Sequence, residues 1–201
     1  LSSVQNNRDH RKILVIDGHT GFNGGTNIAD EYINRKERFG HWKDTALMIK
    51  GEAVWNLTVM FLQMWEIDEP VLCNYLEFIP KYNVKGNFIN DGFVQPFSDS
   101  PLDNEHIGEL VYMDIISNSQ KYLYITTPYL IPDNELLTSL KLSAKKGVDV
   151  RIITPHIPDK WYAYVIAWTY YPELIKAGVK IYEYTPGFIH AKNFVSDDNI
   201  G

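Results

Sequence analysis

The order of elements along this 201-residue chain predicts an α/β protein built on a largely parallel sheet in two related halves. Three observations carry that expectation. Short β-branched runs alternate with helical stretches of about 10 to 15 residues through the second half. Gly147 and Gly178 stand where helix C-caps belong, and Asp133 where an N-cap belongs. One pattern, His-x-Lys-x4-Asp, occurs near both ends of the chain.

Taken in order, "RKILVI" at 11–16 reads as a buried strand bounded by Gly18. The glycine-rich "GFNGGTN" reads as a turn into a polar helix, "IADEYINRKERF". "TALMIK" reads as a strand and "EAVWNLTVMFLQMWE" as a helix with a broad apolar face. Residues 67–104, with Pro70, Pro80, Pro96 and Pro101, read as an irregular junction between halves. Beyond it, "NEHIGELVYMDIISNS" reads as helix, "KYLYITTP" as strand, "NELLTSLKLSAKKG" as helix and "VDVRIITP" as strand. A helix over 161–176, the strand "VKIYEY" and the strand "HAKNFVS" complete the sequence.

Composition bounds the function. Hydrophobic residues make up 45% and charged ones 22%, as in a soluble globular domain. A net charge of -6 argues against a nucleic-acid partner, which needs a cationic surface. The basic residues Arg35, Lys36, Arg38 and Lys43 read as a solvated face. Cys73 is the only cysteine, so neither an internal disulfide nor a structural zinc site is expected. No run approaches the roughly 18 to 20 apolar residues needed to cross a bilayer. The apolar "WYAYVIAWTYY" at 161–171 reads as a helix lining a core or cleft, with an interfacial patch as the other reading.

The repeated motif pairs His10 with His190, Lys12 with Lys192 and Asp17 with Asp197. Chance would produce such a pattern about 0.03 times in a chain of this composition. On a strand, side chains at i and i+2 share a face, so each His and Lys are expected to point together. Two such strands about a pseudo-two-fold axis would gather two imidazoles and two ammonium groups, an inventory suited to an anion. The first motif continues to Asn27, while the same step from Asp197 falls past Gly201. The chain therefore reads as the end of one lobe, residues 1–95, followed by the beginning of a second, residues 96–201.

For a phosphodiester, Lys12, Lys192 and the Asn27 amide suit the phosphate oxygens, with backbone N–H groups near Gly24 and Gly25 adding to them. Asn27 also suits a helix cap. One imidazole would attack phosphorus while the other donates a proton to the departing alcohol. No metal or cofactor is called for. Asp17 and Asp197, on the opposite strand face from their histidines, suit tying down the adjacent turn.

These residues resemble the phospholipase D superfamily, whose signature is two copies of His-x-Lys-x4-Asp followed by Gly-Gly/Ser-x-Asn. The stretches "RFGHWKDTALMIKGEAV", "TPYLIPD", "AKKGVDVRIITP" and "AGVKIYEYTPGFIHAKNFVSDD" are similar to bacterial cardiolipin synthases. The resemblance implies an α/β/α sandwich of two pseudo-two-fold-related lobes, incomplete here at both ends. It implies His10 as nucleophile and His190 as acid and later base, with Lys12, Lys192, Asn27 and Gly25 at the phosphate. Asp44 matches the acid that orients the first histidine, and Asp17 and Asp197 complete the motifs. The implied reaction makes cardiolipin and glycerol from two phosphatidylglycerol molecules. It implies a bacterial membrane location for the parent protein, with membrane-spanning segments upstream, a cytoplasm-facing catalytic part and room for a homo-oligomer. The other readings are a hydrolytic phosphodiesterase of the same fold and an anion-binding module.

Overall fold

The computed structural model describes residues 9–68, 74–81, 92–99 and 105–201. Cys73 and most of the expected junction at 67–104 lie outside the described residues. The chain forms two compact units, one of Leu1–Gly24 with Ala46–Ser98, the other of Gly25–Thr45 with Asp99–Gly201.

In the first unit, β1 (Ile13–Ile16), β2 (Thr20–Gly24) and β4 (Ala46–Lys50) form an antiparallel sheet in the order β1-β2-β4. The expected glycine-rich turn is thus a central strand. Glycine serves there for packing: a Cβ on Gly21 would stand 2.7 Å from Leu57 Cδ1. Its absence lets helix α1 (Val54–Asp68) lie close against β2, burying Val54 and Leu57.

The second unit contains the expected parallel sheet. Its order is β7-β6-β5-β9, where β5 is Tyr122–Thr126, β6 Asp149–Pro155, β7 Lys180–Tyr184 and β9 Asn193–Ser196. Strands β5, β6 and β7 run parallel, and β9 pairs antiparallel with β5. In β6 the side chains alternate, so that Val150, Ile152 and Thr154 face the core. Helices α2 (Ile107–Asn118), α3 (Asn134–Lys145) and α4 (Trp161–Ala177) supply Ile116, Leu140 and Leu174 to the same core. Asp133 caps α3 by accepting from the Leu136 N–H at 2.8 Å. Gly178 closes α4 in the left-handed region at φ 105.

Three local expectations change. The polar stretch 28–39 forms only a 3-10 turn, Asp30–Ile33, ended by Asn34 at φ 57. That segment has no buried stripe to hold a longer helix, and Asn34 instead bonds the Trp42 backbone through both ends of its amide. Strand β3 (His41–Lys43) pairs in parallel with β8 (Gly187–Ile189), a ladder with no counterpart in the sequence reading. Finally, α4 has buried Ala163, Ala167 and Leu174 on one side only, and its other face is open to solvent.

Candidate active site

Each His-x-Lys pair precedes its strand rather than lying in it, since β1 begins at Ile13 and β9 at Asn193. The histidine and lysine of each pair nevertheless stay together. In the first unit, Lys12 Nζ donates to the His10 carbonyl, and Asn23 Nδ2 holds the Lys12 carbonyl at 3.3 Å. Arg11 pairs with Asp9 at 2.9 Å alongside. In the second unit, Lys192 Nζ lies 2.6 Å from the His190 carbonyl and 3.2 Å from His190 Nε2.

Around His190 the second unit gathers more than the motif alone foretells. The His190 N–H donates to the Lys43 carbonyl at 2.7 Å, extending the β3–β8 ladder by one step. That ladder carries Asp44 to the imidazole, where Asp44 Oδ2 is 2.8 Å from Nδ1. The resemblance gives Asp44 to the first histidine; the imidazole it meets is that of His190. The Asp44 side chain is 4% exposed and that of His190 16%. The other carboxylate oxygen accepts from the Thr45 N–H at 2.8 Å, which fixes the group from behind. Gly25 lies against the same carboxylate: a Cβ there would sit 3.0 Å from Asp44 Cγ and closer still to Oδ1.

Aromatic side chains wall the imidazole. The Tyr32 ring meets it edge-on at 5.4 Å, and the rings of Trp42 and Phe188 lie 5.6 and 6.0 Å away. The Asn27 amide donates to the Tyr32 hydroxyl, so this predicted phosphate ligand touches a ring that touches His190. Burial raises the Tyr32 pKa above the ordinary phenol value. The Tyr129 hydroxyl donates to Asp159 at 2.7 Å, and burial followed by that carboxylate pushes its pKa upward too. Sequence reasoning missed Tyr32, Trp42 and Phe188. The signal available was the aromatics inside "FGHWKD" and "GFIH", beside residues already singled out.

Asp197 does not join this group. It stands beyond the far end of β9, at φ 54, and accepts from the backbone N–H groups of Gln120, Lys121 and Tyr122 at 2.7–2.9 Å. The bonds from Tyr122 and Gln120 lead in holding its carboxyl below the usual range. Asp17, in the first unit, shares that backbone state at φ 53. Among the described residues, Glu109, Asp133 and Glu135 bring three carboxylates within 4.8 Å of one another, and Asp133 is spent on capping α3.

Chemically, a buried acceptor at Nδ1 makes that nitrogen the N–H of a neutral imidazole, leaving Nε2 to move a proton or attack. An anionic oxygen held by Lys192 Nζ comes within reach of Nε2, since the two nitrogens are 3.2 Å apart. The second unit thus sets an imidazole, with a buried carboxylate on one ring nitrogen, beside an ammonium group.

Residues 112–201 match the family described as "Cardiolipin synthase, PLD-like domain". Residues 112–201 thus carry a phospholipase D-like domain. A cardiolipin synthase from Halalkalibacterium halodurans is 43% identical over all of this chain and 39% of its own length. A Streptococcus mutans protein carrying the name "Uncharacterized protein" is 54% identical over 98% of this chain and 42% of its own length. The chain thus spans about two fifths of these relatives. The crystal structure of phosphatidylserine synthase from Haemophilus influenzae Rd KW20 shares the fold, with a TM-score of 0.56 and 16% identity. That match covers 94% of this chain and 51% of the synthase.

Proposed function

We propose that this chain is a catalytic portion of a cardiolipin synthase-type phosphatidyltransferase, its two units corresponding to parts of two phospholipase D-like lobes. The observation that carries the reading is the buried Asp44–His190 pair beside Lys192, in a chain 43% identical to a cardiolipin synthase. His10 attacks the phosphorus of one phosphatidylglycerol. The phosphorus–oxygen bond to the headgroup glycerol breaks, and His190 supplies the proton that the leaving alkoxide needs. Lys12, Lys192, Asn27 and the backbone at Gly25 hold the phosphoryl oxygens. A glycerol hydroxyl of a second phosphatidylglycerol then gives its proton to His190 and attacks the phosphohistidine, releasing cardiolipin and His10.

Asp44 keeps the Nδ1–H of His190 in place and stabilises the imidazolium that donates in the first step and re-forms in the second, the ring being neutral between them. The reading places the active protein at a bacterial cell membrane with phosphatidylglycerol as substrate. The test gives labelled phosphatidylglycerol vesicles to the full-length polypeptide that carries this chain. Cardiolipin and glycerol in equal amounts are the expected products, and His10→Ala abolishes them. Phosphatidic acid as the main product would overturn the transferase reading in favour of hydrolysis.

A further inference from the structure

Helix α4 reverses the usual arrangement of a surface helix. Ala163, Ala167 and Leu174 face the core, and the opposite side of its first turns carries Trp161, Tyr162, Val165, Ile166 and Trp168. Trp161 is 74% exposed, and the other four between 42% and 53%. No charged residue occurs between Trp161 and Pro172. The polar half of the helix begins only with Glu173, after Pro172 has removed one rung of the hydrogen-bond ladder. Solvent-facing helix sides are ordinarily polar, and a contiguous apolar patch marks a contact surface.

The chemistry of the patch selects its partner. Tryptophan and tyrosine favour the headgroup level of a bilayer, where the ring is shielded and its polar edge stays wet. A stretch of about 12 residues rises only about 18 Å, against roughly 30 Å for the hydrocarbon core, so this helix lies along a membrane rather than through it. Its place in the fold suits that partner. The C-terminal ends of the parallel strands β5 and β6 adjoin the start of β9, because Thr126 pairs with both Ile153 and Asn193. Helix α4 sets out from that edge after Pro155, and His190 and Lys192 precede β9 at the same edge. The bond from Tyr129 to Asp159 ties the loop leading into α4 to the loop after β5.

We propose that the outward side of the first turns of α4 is a docking face for the headgroup region of a phospholipid bilayer. Its role beside His190 rests on the phospholipid reading above; its composition and exposure do not. With a net charge of -6, the contact is carried by apolar area and not by attraction to anionic lipid.

The chain is sedimented with vesicles of equal phosphatidylglycerol and phosphatidylcholine. Brominated acyl chains quench the fluorescence of the wild type, and the double variant W161F/W168F removes that quenching while binding persists. The double variant W161S/I166S lowers vesicle partitioning about tenfold, Y162S/V165S does likewise, and raised salt changes wild-type binding by less than about twofold. Undiminished binding of both variants, or loss of binding at high salt, overturns the proposal, as does self-association that both variants abolish without vesicle binding. Vesicle binding that depends on the face, with no cardiolipin formed by the full-length polypeptide, sinks the catalytic reading alone; transfer by a full-length polypeptide indifferent to the face variants sinks the docking face alone.

Discussion

Asp44 and His190 stand 146 positions apart in sequence, yet the carboxylate Oδ2 lies 2.8 Å from imidazole Nδ1. The contact depends on a two-stranded ladder, β3 with β8, that runs the two residues into register side by side. The carboxylate is buried and braced by the Thr45 N–H, so the imidazole is held in one tautomer rather than merely touched.

Replacing Asp44 by Asn tests that role. The amide presents N–H as readily as oxygen to Nδ1, so the His190 proton moves to Nε2. The proposed phosphatidyl transfer by the full-length polypeptide falls about 10³–10⁴-fold, as expected for a base in the wrong tautomer. Imidazole ¹⁵N chemical shifts report the exchange directly, and an unchanged Nδ1–H signal in D44N removes Asp44 from the proposal.

Gly25→Ala introduces a methyl where the Asp44 carboxylate already sits. The side chain or the loop must move, at a cost of about 1–3 kcal/mol, read as a lowered urea midpoint with unchanged slope. Activity falls with it, because displacing Asp44 loosens His190.

Asp197 predicts a pH signature. Its carboxyl is held low by backbone N–H bonds, so the stabilisation is fully present above the unfolded pKa near 3.9 and fades as pH falls through the lower folded value. Asp197→Asn therefore melts earlier than the wild type at pH 7, and the gap closes below about pH 4. A gap that stays constant to pH 3 contradicts the ionic origin of the effect.

Leu123, completely buried between β6 and β9, anchors the core of the second unit. Leu123→Ala costs about 2–5 kcal/mol in chemical unfolding. Leu142→Ala, on the exposed side of α3, changes stability by less than about 0.5 kcal/mol.

What the sequence disclosed follows from the range of the forces involved. Strands β5 and β6 were legible because alternation and their capped helices are local. The histidine–lysine pairs were legible because spacing places them together whether or not the strand has begun. Strands β3 and β8 were not: each is three residues long and owes its existence to the other, far along the chain. Residues 28–39 misled because helix-forming composition without an apolar stripe leaves nothing to bury. The partner of Asp44 escaped for the same reason as the ladder. A resemblance names the residue types in a site, while pairing across distant segments decides which of them meet.

The excursion of Gly25–Thr45 into the second unit has a practical corollary for anyone dividing this gene. Neither unit is an uninterrupted stretch of polypeptide, so no single cut separates them. Expressing 99–201 by itself would strip β8 of its neighbour, leave unmatched amides along that edge and deprive His190 of its counter-charge. A faithful excision needs three breakpoints, after Gly24, Thr45 and Ser98, with the borrowed loop supplied as a separate peptide or spliced in by permutation.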